Sequence, residues 1–136
     1  MNWLFKEEPS NYSFDALVRD GRTSWTGVRN PLAQKHLKSV KKGERIFFYH
    51  TGDEKAVVGI CRAAGAAYGD PADTSGKLYA VDVEPVRKLK RPVALSAIKA
   101  DRRFADLPLT RMPRLSVMPI SDEDWDAIVA MSQAGA

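Results

Sequence analysis

The stretch 24–31 (SWTGVRNP) brings together the side-chain types that bind a planar, polar ligand. Trp25 offers an aromatic face for stacking, and Gly27 lets the backbone come close to whatever stacks there. Arg29 and Asn30 add hydrogen-bond donors and acceptors. A second interpretation remains open, in which Trp25 is a buried residue next to a turn and Asn30 caps a helix that begins with the following proline.

Two further polar residues follow apolar strands, where a side chain can line a cavity. Lys6 follows a short apolar run, and its ammonium could contact a phosphate, pair with Glu8, or act as a desolvated amine that activates a nucleophile. His50 follows Tyr49 at the end of a longer run, and it could act as a base or hydrogen-bond a loop. The hydroxyls that could pair with this histidine lie in no recognisable nucleophile elbow; they are Ser13, Thr51 and Ser116.

Basic residues are concentrated in the segment 86–114. It holds nine basic and two acidic side chains, a local charge of +7, whereas the whole chain carries +4. This asymmetry indicates a polyanion as partner, and a solvated basic face is the alternative. The residues expected to bind phosphates are Arg87, Lys88, Arg102, Arg103 and Arg114.

Composition narrows the class of protein further. The chain has 136 residues, of which 44% are hydrophobic and 28% charged, as expected for one globular domain. The glycines form no phosphate-cradling loop, and Cys61 lies far from both histidines, so neither a cofactor nor a metal is expected. The chain shows no apolar run of membrane-spanning length and no signal peptide, which predicts a cytoplasmic protein.

The predicted strands and helices alternate without a βαβ rhythm. The strongest strand is 45–50, because its continuous apolar run indicates burial on both faces. Further strands are predicted at 3–5, 55–61, 78–85 and 114–119. Helices are predicted at 14–20, from 31 to about 40, around 95–99 and after the cap Ser121. Together these elements predict an α+β domain around a small barrel.

Local signals define the first helix at both of its ends. Ser13 is a suitable N-cap, and Gly21 is a suitable terminator. Phe14, Leu17 and Val18 fall at positions i, i+3 and i+4, so all three are expected to face the core.

Several motifs, in order, resemble those of the EVE domain, a PUA-like family. They are Trp3-Leu4-Phe5-Lys6-x-Glu8-Pro9, Tyr12-Ser13, Trp25-x-Gly27-Val28-Arg29-Asn30, Gly43-x-x-x-Phe47-Phe48-Tyr49-His50, Val58-Gly59, Asp70-Pro71, Val81-x-Val83 and Arg114-Leu115-Ser116-Val117-x-Pro119. The match runs nearly end to end. It implies one EVE domain over 1–136, folded as a PUA-like mixed β pseudo-barrel flanked by short helices.

The resemblance also implies a function, the recognition of a flipped, modified nucleobase of DNA or RNA in an aromatic pocket. By this similarity the pocket would be formed by Trp25, Lys6, Arg29, Asn30, Tyr49, His50 and Ser116. The chain departs from the family pattern at Glu7, where a serine is usual, and this adds a negative charge near Lys6. Milder departures are Thr51-Gly52 and Tyr79.

Two other functions remain open. The related ASCH domains include amidohydrolases that use a lysine, an acid and a hydroxyl, so the chain could be a hydrolase of modified nucleosides. The residues for these roles would be Lys6, Glu7 or Glu8, and Ser13 or Thr51. A domain that binds a small molecule or a protein, and no nucleic acid, is the third possibility. The binding module is favoured over the enzyme, so no catalytic residue is assigned.

Overall fold

The fold is built on one mixed sheet of seven strands, in a computed structural model that describes residues 1–133. The strands are β1 (Asn2–Glu7), β2 (Thr23–Trp25), β3 (Arg45–His50), β4 (Ala56–Ala63), β5 (Tyr68–Gly69), β6 (Tyr79–Ala94) and β7 (Val117–Ile120). Their order is β2-β6-β4-β3-β1-β7, and β5 pairs with β6. The β1–β3 pair is parallel, and the other pairs are antiparallel. The predicted domain 1–136 also includes 134–136, which lie outside the described residues.

Short helices connect and cover the strands. They are α1 (Phe14–Asp20), α2 (Pro31–Lys38), α3 (Leu95–Ala100), α4 (Pro108–Arg111) and α5 (Asp122–Gln133), with a 3-10 turn at Arg102–Phe104. The predicted caps are confirmed, because the Ser13 and Asn30 side chains accept hydrogen bonds from the backbone N–H groups of Ala16 and Ala33. Gly21 ends α1 in the left-handed conformation, with φ of 78°.

The sheet curls into a half-barrel. β2 and β1 are separated by three strands in the sheet, yet the rings of Trp25 and Phe5 lie 5.2 Å apart between centroids. Phe48 of β3 meets the same Trp25 ring edge-on at 5.3 Å. Only a curved sheet brings these side chains together, so the predicted pseudo-barrel flanked by short helices is confirmed.

The two faces of the sheet are covered by different helices. On the inner face, which carries Phe48, the ring of Phe14 from α1 packs so closely that a Cβ at Gly59 would lie 2.5 Å from it. On the outer face, Trp125 from α5 stacks on Phe47 with 3.7 Å between ring centroids. The predicted burial of strand 45–50 on both faces is therefore confirmed.

Three details differ from the sequence prediction. β6 continues to Ala94 instead of ending at Pro85, because the shift in its pairing with β4 near Cys61 accommodates the proline. Val18 is 53% exposed, since α1 is too short to bury three positions of its stripe. The last strand begins at Val117 instead of 114. No helix within residues 1–133 has the length and apolar character required to cross a membrane.

Candidate nucleic-acid interface

The half-barrel leaves a cavity at its open seam, between β2 and the C-terminal end of β1. β7 pairs with β1 only as far as Phe5, so Glu7 projects beyond it. The loop that leads from β1 to α1 closes the third side. This inner cavity has a volume of about 300 Å³ and is lined by Glu7, Asn11, Tyr12, Thr23, Ser24, Trp25 and Thr26.

Trp25 lines the inner cavity but belongs mainly to the core. Its surface is 6% exposed, because Phe5 and Phe48 pack against its ring. The turn after it depends on Gly27, which has φ of 73° and donates its N–H to Asp70 Oδ2 at 3.3 Å. Trp25 is thus a buried side chain that reaches a cavity, which combines the two interpretations left open by the sequence.

The Glu7 carboxylate supplies a hydrogen-bond acceptor to the lining of the inner cavity. Glu7 Oε1 accepts from the Glu8 N–H at 2.9 Å and from Asn11 Nδ2 at 3.1 Å, which fixes the carboxylate. Its second oxygen has no hydrogen-bond partner within residues 1–133. Ser24 donates its hydroxyl to Asp82 at 2.8 Å, and its oxygen lies 3.2 Å from the Tyr68 hydroxyl, so this side chain is already engaged. A ligand that carries N–H donors fits this lining.

Tyr12 is held away from the centre of the inner cavity by an acidic partner. Its hydroxyl donates to Asp20 Oδ2 at 2.8 Å. Burial and this hydrogen bond raise the pKa of Tyr12, so the phenol is neutral at physiological pH.

A second cleft adjoins the inner cavity at Thr26 and contains Arg29. It measures about 300 Å³, and the acidic residues Asp70 and Asp73 line it. Hydrogen bonds from Ser75 and from the Leu78 backbone hold the pKa of Asp73 at about 2, so this carboxylate stays charged. Arg29 is exposed and makes no ion pair within residues 1–133.

A third cavity lies on the outer face of the sheet, between β1, β3 and the helices α3 and α4. This outer cavity measures about 230 Å³ and is lined by Lys6, Tyr49, Thr51, Gly52, Lys55, Leu95, Lys99, Leu109 and Pro113. Lys6 Nζ donates to the Pro113 carbonyl at 3.0 Å and lies 5.6 Å from the centroid of the Tyr49 ring. Burial lowers the pKa of Lys6, and the ammonium of Lys99 lowers it further. Burial alone raises the pKa of Tyr49 to about 12.

His50 lines neither cavity. Both of its ring nitrogens bind protein groups. Nε2 accepts from the Phe14 N–H at 3.0 Å, so Nδ1 carries the proton and donates to Glu54 Oε1 at 2.6 Å. Of its two predicted roles, the structure shows the hydrogen bond to a loop. His50 joins the start of α1 to the β3–β4 loop.

The remaining predicted pocket residues are also dispersed. Asn30 and Arg114 line a separate groove next to Pro113, and Ser116 accepts the Lys6 N–H through its backbone oxygen. The structure therefore does not gather the seven residues around one pocket. Trp25 belongs to the inner cavity, Arg29 to its neighbouring cleft, and Lys6 with Tyr49 to the outer cavity.

The predicted phosphate-binding residues have different surroundings. Lys88 Nζ lies 3.1 Å from Asp15 at the start of α1, and Arg103 Nη2 lies 2.7 Å from Asp101. The acidic residues in the first turn of α5 also favour the charged form of Arg103 and so raise its pKa. Arg87 and Arg102 are exposed and form no ion pair within residues 1–133. The +7 segment is thus partly neutralised by neighbouring carboxylates.

The residues proposed for a hydrolase are divided in the same way. Lys6 and Thr51 share the outer cavity, and Thr51 Oγ1 lies 3.5 Å from Glu8 Oε2. Ser13 and Glu7 belong to the inner face, where Ser13 caps α1. Lys6, Glu8 and Thr51 are the one lysine, acid and hydroxyl of this set that lie together.

Several residues that line the two cavities were not predicted from the sequence. In the inner cavity they include Glu7, Asn11 and Tyr12, and in the outer cavity Lys55 and Lys99. One signal was present, because the period of two along β1 places consecutive residues on opposite faces. It separates Lys6 from Glu7.

A curled, mixed half-barrel flanked by short helices is a PUA-like architecture. The chain belongs to the EVE domain family, whose model matches residues 1–131. It is 30% identical to thymocyte nuclear protein 1 of Gallus gallus, over 97% of this chain and 69% of that protein.

Solved structures agree with this assignment. A protein of Rhodopseudomonas palustris, determined by NMR, is 42% identical, with a TM-score of 0.92 over 97% of this chain and 92% of that one. Human THYN1 in complex with DNA containing 5-methylcytosine is 27% identical, with a TM-score of 0.91 over 99% of each chain. An ASCH protein of Zymomonas mobilis shares the fold at 16% identity, with a TM-score of 0.57 over 96% of this chain and 94% of that one.

Proposed function

We propose that the chain binds DNA carrying a modified base and holds that base in the inner cavity. The observation that carries the proposal is the position of this cavity, at the open seam of the half-barrel and beside Trp25. Human THYN1, a relative of this chain, has a crystal structure in complex with DNA that contains 5-methylcytosine. A methylated cytosine is accordingly the first base to test.

The Glu7 carboxylate in the lining suits an amino-bearing base such as cytosine. The exocyclic amino group of cytosine is a donor, and a carboxylate is its usual side-chain acceptor. Glu7 presents such a carboxylate, already oriented by the Glu8 N–H and by Asn11. The apolar contribution comes from the small exposed part of Trp25, against which a methyl group or a ring edge can pack.

The base enters the cavity only after leaving the duplex stack. A concave site of about 300 Å³ between two strands cannot reach a base that is paired inside a helix. We therefore infer base flipping, or the use of single-stranded DNA or RNA. Arg29 at the adjoining cleft and the exposed Arg87 and Arg102 are available for the flanking phosphates.

The hydrolase is the second candidate, and the proximity of Lys6, Thr51 and Glu8 favours it. Against it, Lys6 Nζ donates to the Pro113 carbonyl and makes no hydrogen bond to Thr51 or Glu8 within residues 1–133, so no nucleophile–base pair is formed. We therefore infer a binding module.

We also infer a cytoplasmic protein with one domain over 1–136, on the basis of its reduced, buried Cys61 and continuous fold.

A cavity-filling variant tests the proposed function. Thr26 is exposed and lines the inner cavity, so Thr26→Phe should abolish the preference for a duplex with one 5-methylcytosine over its unmodified twin. Ala105→Phe, at an exposed position that lines neither cavity, is the matched control and should keep the preference. Fluorescence anisotropy measures both affinities. An unchanged preference in Thr26→Phe, or turnover of N4-acetylcytidine by the wild-type protein, would overturn the proposal.

A further inference from the structure

The outer cavity holds three lysines from three different elements. Lys6 comes from β1, Lys55 from the β3–β4 loop and Lys99 from α3. No carboxylate is among its lining residues within residues 1–133, and the carboxylate of Glu8 lies behind the lining, 3.5 Å from Thr51 Oγ1. We propose that the outer cavity is a binding site for a phosphate group, separate from the inner cavity and on the opposite face of β1.

The lysine ammonium groups are placed for an anion and have unused donors. Lys6 Nζ makes one hydrogen bond, to the Pro113 carbonyl, and an ammonium has three N–H groups. Burial and the neighbouring Lys99 both disfavour its charge, as its lowered pKa shows. An anion between the two ammonium groups removes their repulsion and replaces the water that Lys6 has lost.

The loop that carries Lys55 is fixed in position before any ligand binds. The Thr51 N–H donates to the Glu7 carbonyl at 2.9 Å, and the Lys55 carbonyl accepts the Leu95 N–H at 2.8 Å. A Cβ at Gly52 would lie 2.6 Å from the carboxylate of Glu8, so the loop packs tightly there. These contacts hold the loop between β1 and α3, and the site needs little ordering on binding.

Lys55 also has a strained backbone. Its φ of 46° is the one positive value for a residue other than glycine within residues 1–133. A left-handed lysine costs about 1 kcal/mol or more and persists where the surroundings enforce it, often at a binding site. Here that conformation places Lys55 on the rim of the outer cavity.

The size and cation type favour phosphate over other anions. The cavity of about 230 Å³ is smaller than the ~300–1,000 Å³ that drug-sized ligands occupy, so it suits a small group. All three cations are lysines, which bind phosphate as point charges, whereas planar carboxylates are best held by the fork of an arginine.

Titration of inorganic phosphate, followed by isothermal calorimetry, tests the site. We expect binding by the wild-type protein, and a loss of about tenfold in affinity in Lys99→Gln and in Lys55→Gln, since each removes a charged donor. Lys90→Gln removes an equally exposed lysine of β6 that lines neither cavity, and it should bind like the wild type. Circular dichroism confirms that each variant is folded.

A competition experiment identifies the source of the phosphate group. If the group belongs to a nucleic-acid strand, inorganic phosphate at constant ionic strength displaces a fluorescent oligonucleotide from the wild type and not from Lys99→Gln. If it belongs to a free small molecule, the oligonucleotide stays bound while phosphate still binds in a lysine-dependent way. Phosphate affinities that are equal in the wild type, Lys55→Gln and Lys99→Gln would overturn the proposal. The preference for 5-methylcytosine should survive in both variants, so the two proposals fail independently.

Discussion

The two cavities at the end of β1 have opposite chemistry although neighbouring residues supply it. Glu7 brings a carboxylate to the inner cavity, and Lys6 brings an ammonium to the outer one. The strand pleat sends the two side chains to opposite faces, where a loop and β2 meet the first and helices meet the second. One strand end thereby serves two surfaces that do not mix their charges.

This separation changes the meaning of Glu7. In the sequence, Glu7 is a departure from the family pattern that adds a negative charge near Lys6. In the structure the Glu7 carboxylate is held by Asn11 on the inner face, whereas Lys6 contacts Pro113 on the outer face. In the two proposed sites, Glu7 is therefore assigned to the base and Lys6 to the anion.

The largest effect is expected for a substitution of Trp25, on the inner face, and it concerns stability. Since its ring is packed between Phe5 and Phe48, Trp25→Ala should cost about 3–5 kcal/mol in the free energy of unfolding. Chemical denaturation measures this cost. Tyr68→Ala, at a 37% exposed aromatic, is the control and should change stability by less than about 1 kcal/mol. A Trp25→Ala protein as stable as the control would show that the ring is a ligand wall rather than core.

The next effect concerns the identity of the base. Glu7→Gln should reduce the affinity for a 5-methylcytosine oligonucleotide by about tenfold, since an oriented acceptor for an amino group contributes about 1–3 kcal/mol. The same variant should gain affinity for thymine, whose O4 is an acceptor. Asp53→Asn, on the exposed β3–β4 loop, removes the same charge without touching the cavity. Equal effects in both variants would mean that net charge, and not the inner cavity, determines binding.

A smaller effect is expected from the basic segment. Arg87→Gln and Arg102→Gln should each reduce the slope of log affinity against log salt concentration by about 1, because each releases about one counterion. Lys88→Gln and Arg103→Gln should change it less, since Asp15 and Asp101 already neutralise these charges. Anisotropy titrations at several salt concentrations give the slopes. Identical slopes in all four variants would identify the segment as a solvated face.

The smallest effect is a pH dependence of the outer cavity. The pKa of Lys6 is lower than its ordinary value of 10.5, so its ammonium loses the proton at a lower pH than an exposed lysine does. The charge of sulfate is constant in this range. Its affinity for the outer cavity should therefore fall as pH rises through the lowered pKa of Lys6. Lys99→Gln removes one cause of the shift and should move the midpoint of the fall to higher pH. A midpoint that is unaltered in this variant contradicts a shared site.

Local features were predictable from the sequence because neighbouring residues determine them. The caps Ser13 and Asn30, the terminator Gly21 and the two-sided burial of β3 follow from side-chain chemistry and periodicity. The length of β6 was not predictable, because its basic residues resemble a solvated segment and Pro85 resembles a strand end.

The grouping of the site residues required long-range information. Trp25 and Glu7 meet only because the sheet curls across three intervening strands, and no local pattern encodes that curvature. Likewise, Lys99 joins Lys6 through the docking of α3 on the outer face. The resemblance to EVE domains predicted the fold. It also assigned to one pocket several residues that lie on opposite faces of this sheet.

The seam of the half-barrel has a further consequence for recognition. β2 is an edge strand of three residues that pairs only with β6 among residues 1–133, so the opposite side of its backbone faces the inner cavity. Amide and carbonyl groups on that side can pair with a hydrogen-bonding edge as a side chain does; proline removes an amide N–H, and no substitution removes a carbonyl. For a base held in the inner cavity, the main chain of β2 therefore offers hydrogen-bonding groups that substitutions of the surrounding side chains leave in place.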